Sequence, residues 1–415
     1  MITSIDELEH YFKDHNYSTY ERENYDKFLS HMNFSFPIKS IHITGTNGKG
    51  STANYIYNIY LAKGLKVGLF NSPYLSKVNE MILVNGKYID DEEYLALFNE
   101  YQKEFEEYHL SSFEMQTYIA FQCFIKHNLD LVVVEVGMGG FIDATNVITP
   151  LISVITNVSL EHTAYLGRST SEIAYNKAGI IKEDSKAVIG KVDETALYAI
   201  NEYAKIVNSE IIKVNDFHNE RVEGNNVIFD YYPLKDLKLN TRALYQCKNA
   251  SIAIEVTNQL KDVIDIDEES IRKGLFTVSL PCRLDYVRDN LILDGAHNPD
   301  GINNLVESLQ KSETRPIHAV FAAFKDKNIE TMLISLSNFV NDVTLTTFDH
   351  PRARNEEDYF LYLGDYSFNE NYLNLINEKL TQYPDDVVLV TGSLAFAGKV
   401  KEALKWEKTQ LSKFV

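Results

Sequence analysis

The stretch that decides the fold is Ile41-His-Ile-Thr-Gly-Thr-Asn-Gly-Lys-Gly-Ser-Thr52. Residues 38–44 form a largely β-branched run that predicts a buried strand, and residues 51–63 predict a helix, with a glycine-rich turn between them. Backbone N–H groups at the start of such a helix, its dipole and the charge of Lys49 all favour an anion at the turn. The stretch therefore predicts a phosphate-binding loop, and we expect its ligand to be ATP.

The spacing of this loop departs from the common pattern G-x-x-x-x-G-K-[ST]. Gly45 lies only three residues before Gly48, and Gly50 separates Lys49 from Ser51. An ordinary glycine-rich strand-to-helix turn is the alternative interpretation. A lysine followed by a serine and a threonine at the helix start favours nucleotide binding over that alternative.

The composition limits the class of protein and the kind of ligand. The chain has 415 residues, of which 45% are hydrophobic, enough for two or three domains with a large core. Its net charge of −19 disfavours a nucleic-acid partner, because binding a phosphate backbone needs a basic face. We therefore expect small-molecule partners, with the positive groups concentrated at the site if the ligands are anions.

The cysteines and the apolar segments indicate the compartment. Cys123, Cys247 and Cys282 are far apart and form no CxxC pair, which is typical of reduced thiols in the cytosol. The N-terminus has no basic start followed by an apolar run, and no apolar stretch approaches membrane-spanning length. We expect a cytoplasmic protein with no signal peptide and no membrane insertion.

The alternation of strands and helices predicts an α/β protein. The apolar runs 131–136 and 151–156 are typical of central strands in a parallel sheet. Strand–helix alternation starts again at residues 291–294 and continues along the chain. The fold class that we predict is a P-loop-containing, mostly parallel sheet domain, residues 1–283, followed by a smaller Rossmann-like α/β domain, residues 284–415.

Polar side chains at the ends of the predicted strands form the candidate site, because ligands of open parallel sheets bind beyond the carboxyl ends of the strands. Glu135 ends an apolar run, and a buried carboxylate is costly unless it is paired or bound to a metal. Mg²⁺ prefers hard oxygen ligands and shares phosphate oxygens, so Ser51, Ser72 and Glu135 are candidate ligands. His162 follows the next strand, and a lone histidine in such a place is more often structural than a ligand.

A family resemblance is carried by a set of motifs in a fixed order. The motifs are Gly45–Thr52, Ser72-Pro-Tyr-Leu75 with Asn85-Gly86, Glu135-Val-Gly-Met-Gly-Gly140 with Asp143-Ala-Thr-Asn146, Ser159-Leu-Glu-His162 with Leu166-Gly167, Lys177-Ala-Gly-Ile-Ile-Lys182, Pro281-Cys-Arg-Leu284, Asp294-Gly-Ala-His-Asn-Pro299 and Thr391-Gly-Ser393. With them the chain resembles, nearly end to end, the folylpolyglutamate synthase and dihydrofolate synthase family of the wider Mur-ligase group.

The resemblance implies a role for each matching position. Nucleotide contacts are implied at Thr46, Asn47, Gly48, Lys49, Gly50, Ser51, Asn249, Arg283 and Asp294. Metal ligands are implied at Ser51, Ser72, Glu135, His162 and Lys177, the last as a carbamylated lysine that holds a second Mg²⁺. The site for the pteridine-bearing substrate is implied at Phe113, Glu114, Ile142, Asp143 and Ala144. His297 and Ser393 are implied near the incoming glutamate.

The activity that the resemblance implies is ATP-dependent ligation of L-glutamate to the carboxylate of folate or dihydropteroate. ATP would convert that carboxylate into an acyl phosphate, which the amine of glutamate then attacks. The implied catalytic residues are Lys49, Lys177, Arg283 and His297. Mg²⁺ and Lys49 would neutralise the transferring phosphoryl group, and Arg283 would act across a cleft between two domains that closes to exclude water. We expect a monomer.

Several positions depart from the family pattern. The replacements are Met81 and Phe141 for arginine, Glu161 for aspartate, Asn176 for glutamate, Tyr245 for histidine and Cys282 for glycine. The ATP and metal positions keep the pattern, whereas positions in the substrate loops differ. The choice between dihydropteroate and reduced folates therefore stays open.

Three alternatives accompany this interpretation. A divergent Mur-ligase-group paralogue could act on another carboxylate. A peptidoglycan-type ligase would carry a nucleotide-sugar domain before the loop, and we do not expect one because 44 residues precede Gly45. A nucleotide-binding module without catalysis would not need the retained Glu135, His162, Lys177 and Arg283.

Overall fold

The computed structural model describes residues 1–15 and 22–411, with the side chains of 405–411 excepted. It divides the chain into two compact units. The first unit comprises Met1–Phe217 and Lys248–Val278, and the second comprises His218–Cys247 and Ser279–Val415. The division into domains at 283/284 stays a prediction. Within the described ranges, no helix is long and apolar enough to cross a lipid bilayer.

The helices follow one another along both units. They are α1 (Ile5–Asp14), α2 (Arg22–His31), α3 (Lys49–Ala62), α4 (Asp91–Glu107), α5 (Ser112–Lys126), α6 (Thr163–Leu166), α7 (Thr170–Ala178), α8 (Glu194–Ile206), α9 (Gln246–Gln259), α10 (Glu268–Thr277), α11 (Pro299–Ser312), α12 (Ile329–Ser337), α13 (Tyr372–Gln382) and α14 (Leu394–Leu411). Two 3₁₀ helices span Val78–Met81 and Glu357–Tyr362.

The strands alternate with these helices. They are β1 (Ser40–Thr44), β2 (Val67–Phe70), β3 (Ile82–Val84), β4 (Lys87–Tyr88), β5 (Leu131–Glu135), β6 (Ile152–Ile155), β7 (Lys186–Ile189), β8 (Glu210–Lys213), β9 (His218–Glu223), β10 (Asn226–Tyr231), β11 (Leu234–Leu239), β12 (Asp285–Arg288), β13 (Leu291–Leu293), β14 (Ile317–Phe321), β15 (Asp342–Thr346), β16 (Ser367–Asn369) and β17 (Val387–Thr391).

The first unit is built on an eight-stranded sheet in the order β4-β3-β2-β5-β1-β6-β7-β8. The strands from β2 to β8 in this order are parallel, and β3 and β4 add an antiparallel hairpin at one edge. Every residue of β1, β2, β5 and β6 is buried, as expected for strands covered on both faces. The predicted α/β class with a mostly parallel sheet is confirmed.

The second unit contains two sheets. Its six-stranded sheet has the order β12-β13-β17-β14-β15-β16, in which the β12–β13 pair alone is antiparallel. A separate antiparallel sheet, β11-β10-β9, lies earlier in the chain. The parallel strands bury aliphatic side chains such as Leu293, Ala319 and Leu389 completely. This unit has the Rossmann-like α/β character that the alternation predicts.

The register of the first sheet brings the candidate motifs to one edge. Ile43 pairs with Glu135, and Thr44 pairs with Ile155. The segments after β1, β5 and β6 therefore leave the sheet side by side, which is where ligands bind in parallel α/β sheets. Helix α3 begins at Lys49, two residues before the predicted start at 51, directly after Gly48 in the left-handed conformation.

Candidate active site

The glycine-rich loop after β1 is braced by the segment after β6. The backbone N–H of Thr46 donates to the carbonyl of Asn157 over 3.1 Å, and that of Asn47 donates to Asn157 Oδ1 over 2.7 Å. Thr156 Oγ1 donates to the carbonyl of Asn47 over 2.6 Å. Thr46 Oγ1 donates to the carbonyl of Ser159 over 3.1 Å and accepts from its N–H over 3.0 Å. These bonds fix the loop before any ligand arrives.

Glycine is required in this loop because the chain approaches other groups closely. Gly48 has a φ of +82°, and a Cβ on it would lie 2.3 Å from Asn249 Oδ1. The Asn249 side chain, predicted from the resemblance to contact the nucleotide, therefore lies against the loop. Lys49 Nζ donates to the carbonyls of Gly45 (3.1 Å) and Thr46 (3.3 Å), so the side chain folds back onto the loop that precedes it.

A carboxylate lies beside the start of α3. Glu135 is buried, and its Oε2 accepts a hydrogen bond from the backbone N–H of Ser72 over 3.0 Å. A Cβ on Gly50 would lie 3.3 Å from the same oxygen and 2.9 Å from Asn71 Oδ1. Asn71 Oδ1 is buried without a hydrogen-bond partner among the described residues. The ends of β2 and β5 thus present hard oxygen atoms to the helix N-terminus, a donor set that fits Mg²⁺.

Lys177 is a buried cation near the end of α7. Burial and, to a smaller extent, the charge of Lys49 lower its pKa to about 7, against the opposing charges of Glu161 and Asp143. A Cβ on Gly140, in the loop after β5, would lie 2.7 Å from the carbonyl of Lys177. The structure therefore brings Lys177 near this loop and within electrostatic range of Lys49.

The other proposed metal ligands differ in exposure. Ser51 is buried in the first turn of α3. His162 is exposed, has a φ of +51° and directly precedes the short helix α6. Metal coordination stays a prediction for all five positions, Ser51, Ser72, Glu135, His162 and Lys177.

The predicted substrate positions on α5 lie at its N-terminus. The Phe113 ring fills the space beside Gly137, where a Cβ would lie 2.5 Å from the ring. Glu114 forms a capping box with Ser111, accepting from its N–H and its Oγ over 2.7 Å each. Burial raises the pKa of Glu114, and the charge of Arg22 opposes that effect.

The other predicted substrate positions lie in the turn after β5. The Asp143 carboxylate accepts from the N–H groups of Met138 and Thr145, over 2.9 Å each. Burial raises the pKa of Asp143, and these hydrogen bonds and the charge of Arg22 act in the opposite direction. Ile142 is exposed and Ala144 is buried.

In the second unit, a buried carboxylate organises the segment after β13. Asp294 accepts from the N–H groups of Leu284 (2.7 Å) and Ala296 (2.8 Å) and from the hydroxyl of Tyr245 (2.9 Å). Burial raises the pKa of Asp294, and the charge of Arg283 opposes this effect. Asp294 therefore ties the segment of Arg283 to the end of β13.

The predicted glutamate positions also follow strands of the second sheet. His297 Nδ1 donates to the carbonyl of Gly295 over 2.9 Å, which leaves Nε2 as an acceptor in the neutral ring. Ser393 is buried and follows β17, directly before α14. Both positions lie at the carboxyl edge of their parallel sheet, where ligands bind.

Three departures from the family pattern have a local structural setting. The Phe141 ring packs edge-on against Tyr203 (centroids 5.1 Å apart) and beside Tyr175 (5.5 Å). Met81 is buried in the aromatic core of the first unit. Cys282, at a position that is glycine in the family pattern, keeps a left-handed φ of +57° and is fully buried.

Two residues that contact the site segments, Asn157 and Arg22, were not predicted from the sequence. Asn157, which binds the loop at Thr46 and Asn47, directly follows a predicted strand, and that position was an available signal. Arg22 contacts the turn at Asp143 from 121 positions away, and no local pattern indicates such a contact.

Comparison with known proteins defines the class. Residues 43–257 match the Mur ligase middle domain, and residues 282–394 match the glutamate ligase domain of Mur ligases. The chain belongs to the Mur ligase family.

Similar proteins narrow the family. The dihydrofolate synthase/folylpolyglutamate synthase of Bacillus subtilis (strain 168) is 33% identical over 392 residues, covering 89% of this chain and 91% of that protein. A Mycobacterium tuberculosis folylpolyglutamate synthase complexed with ADP and AMPPCP superposes with a TM-score of 0.89 at 27% identity, over 96% of this chain and 98% of that one. An FPGS–AMPPCP–folate complex superposes with a TM-score of 0.87 at 29% identity, over 97% of this chain and 100% of that chain. Within its family this chain is thus an ATP-dependent ligase of the folylpolyglutamate/dihydrofolate synthase group.

Proposed function

We propose that this protein joins the amine of L-glutamate to the carboxylate of a folate-type substrate, using ATP to form an acyl phosphate. The observation that carries the proposal is the meeting of the glycine-rich loop with Glu135 at one edge of the first sheet, beside the turn of Asp143. The positions that we propose for phosphate, metal and substrate lie in these neighbouring segments. The relatives named above support the same chemistry.

The two chemical steps balance without a further reactant. A carboxylate oxygen of the folate-type substrate attacks the γ-phosphorus of ATP, and ADP leaves. The amine of glutamate then attacks the acyl carbon, loses a proton and expels phosphate, which carries away one oxygen of the original carboxylate. The role of Lys49 is to neutralise charge on the transferring phosphoryl group.

The residues around Glu135 fit a divalent cation. Glu135 is a buried carboxylate, and Asn71 Oδ1 beside it is a buried acceptor that lacks a hydrogen-bond partner in the described ranges. We assign one Mg²⁺ to Ser51, Ser72 and Glu135, with His162 as a further ligand. The cation would supply charge stabilisation for phosphoryl transfer.

A second Mg²⁺ depends on carbamylation of Lys177. Only a neutral amine reacts with CO₂, and burial lowers the pKa of Lys177 to about 7, so a large neutral fraction exists near neutral pH. Carbamylation exchanges a buried ammonium for an anionic oxygen ligand. This change favours a cation where the unmodified lysine would repel one.

The second unit contributes the remaining proposed roles. Arg283 and Asp294 contact the nucleotide, and His297 and Ser393 lie near the incoming glutamate. Asp294 and Ser393 follow parallel strands at the edge that binds ligands in such sheets, which supports these roles. Residues 1–283 form the ATP-binding domain and residues 284–415 the glutamate ligase domain in this proposal.

The substrate choice and cellular setting are also proposals. Dihydropteroate and reduced folates both carry the required carboxylate, and the departures at Phe141, Met81 and Cys282 distinguish this chain from the family pattern. A divergent paralogue using another carboxylate is the alternative. We keep the expectations of a monomer, no nucleic-acid partner and a cytoplasmic location. The three cysteines are buried thiols, which suits a reducing compartment.

Isotope transfer tests the acyl phosphate. The substrate is labelled with ¹⁸O in its carboxylate and incubated with ATP, Mg²⁺ and glutamate. We expect one ¹⁸O atom in each phosphate released, in step with amide formation. Amide formation with unlabelled phosphate would overturn the proposed mechanism.

A further inference from the structure

We infer that Arg22 is a positioning residue for the pterin-bearing substrate, because it holds the substrate loop, residues 141–146, through the carbonyl of Asp143. This inference rests on the proposed function, since Ile142, Asp143 and Ala144 are its proposed substrate positions. It assigns a role to α2, a helix that carries none of the motifs.

The guanidinium of Arg22 joins two elements. Arg22 is the first residue of α2, and its Nε donates to Asp26 Oδ1 over 2.7 Å, one helical turn along. Its Nη1 donates to the carbonyl of Asp143 over 2.8 Å. The side chain is 24% exposed, so these bonds are partly shielded from water. The planar fork of arginine satisfies both acceptors at once, which the single ammonium of lysine cannot reproduce with the same geometry.

The carbonyl that Arg22 binds lies at the centre of the substrate loop. The loop's far end is fixed by Asn146, whose Nδ2 donates to the carbonyls of Phe141 (3.2 Å) and Gly179 (3.1 Å). Lys182 Nζ donates to Asn146 Oδ1 over 2.7 Å. The Asp143 carboxylate is bound within its own turn. Arg22 therefore ties the centre of the loop to a helix that is remote in sequence.

The charge of Arg22 also acts on the two buried carboxylates of the proposed substrate site. Burial raises the pKa of both Glu114 and Asp143, and the positive charge of Arg22 lowers both. A pterin ring presents amino and ring N–H donors, for which ionised carboxylates are better acceptors than neutral ones. Arg22 thus serves the loop's position and the charge state of its neighbours.

Steady-state kinetics of Arg22→Ala and Arg22→Lys test this role, with Arg272→Ala as the matched control. Arg272 makes the same one-turn pair with a carboxylate, Glu268, on the exposed surface of α10. For Arg22→Ala we expect the KM of the pterin substrate to rise about tenfold or more, with less than about threefold change in the KM of ATP. Arg22→Lys keeps the charge and should fall between wild type and Arg22→Ala.

The outcomes separate this inference from the proposed function. Absence of glutamate-dependent turnover by wild type with any pterin substrate contradicts the proposed function itself. Normal turnover by wild type, with an unchanged pterin KM in Arg22→Ala, overturns the role of Arg22 alone. A uniform loss of kcat and of affinity for all three substrates would show that Arg22 only stabilises the fold, and would overturn the inference. If Arg22→Ala does not fold, a pterin KM in Arg22→Lys equal to that of wild type overturns the inference.

Discussion

The backbone N–H of Ser72 donates to Glu135 Oε2 over 3.0 Å and so joins the segment after β2 to the end of β5. This bond fixes one carboxylate oxygen beside the N-terminus of α3. The carboxylate is therefore placed beside the loop for which we propose phosphate binding. Burying a carboxylate is costly, and we propose that a bound cation helps to offset this cost.

Replacing Glu135 by glutamine removes the charge but keeps an oxygen that can accept from Ser72. We expect kcat to fall by about a hundredfold or more, because the cation loses its anionic ligand, while the fold persists. The measurement is glutamate-dependent ADP release over a range of Mg²⁺ concentrations. Glu268→Gln, an exposed carboxylate of α10, is the control. Equal Mg²⁺ dependence in wild type and Glu135→Gln would contradict the metal role.

Gly48→Ala tests the close approach of Asn249 to the loop. An alanine there adopts a left-handed φ at a cost of about 1–2 kcal/mol and also displaces the Asn249 side chain. Gly64→Ala is the control, since Gly64 has a φ of +92° with nothing within 4 Å of its Cβ position. We expect both variants to lose similar stability and only Gly48→Ala to lose ADP affinity, by about tenfold or more in calorimetry. Identical ADP affinity in the two variants would refute the loop assignment.

We expect Lys177 to make activity depend on CO₂ and pH. Its pKa of about 7 leaves the amine protonated at lower pH, so carbamylation and activity should decline as the pH falls through 7. Removal of CO₂ should lower turnover, and bicarbonate should restore it. A ¹³C-bicarbonate NMR signal that is present in wild type and absent in Lys177→Gln identifies the carbamate. Full turnover without CO₂ and without that signal would exclude it.

We expect His42 to make the stability of the fold depend on pH. Its Nε2 contacts Thr145 Oγ1 over 2.8 Å, and since that hydroxyl donates to Asp143, His42 Nε2 must be the donor. Burial lowers the pKa of His42 from 6.5 to about 3. The stability it contributes is thus present above pH 6.5 and lost as the pH falls toward 3, by about 1.4 kcal/mol per pH unit.

Chemical denaturation at several pH values measures this effect. The difference in unfolding free energy between wild type and His42→Gln should narrow as the pH falls below 6.5. Parallel pH curves for the two proteins would mean that His42 titrates normally in the folded state.

The central sheet and the loop were predictable because their physics is local. Buried parallel strands require apolar runs such as 131–136. A loop that binds phosphate at a helix N-terminus requires a small, flexible residue, and the glycine at position 48 meets this need. The packing of helix α10 on α3 had no comparable signal, because the two helices meet at Gly274, where a Cβ would lie 2.4 Å from the Cα of Ile59. That close approach depends on the tertiary fold, and the sequence shows only an isolated glycine.

The candidate site was predictable where motifs are contiguous. Strand ends of a parallel sheet converge, so the meeting of Gly50, Ser72 and Glu135 follows from topology. The contact between Arg22 and Asp143 does not, because it joins residues 121 positions apart through a backbone carbonyl. Such a bond leaves no pattern in the sequence around either residue.

The most direct test of the central claim is ADP release by the wild-type protein with ATP, Mg²⁺ and L-glutamate. Dihydropteroate, tetrahydrofolate and one-carbon derivatives of tetrahydrofolate are compared as the second substrate. We predict ADP release that requires both glutamate and at least one of these pterins, with one amide bond formed per ADP. ADP release that is indifferent to glutamate and to every pterin would contradict the account.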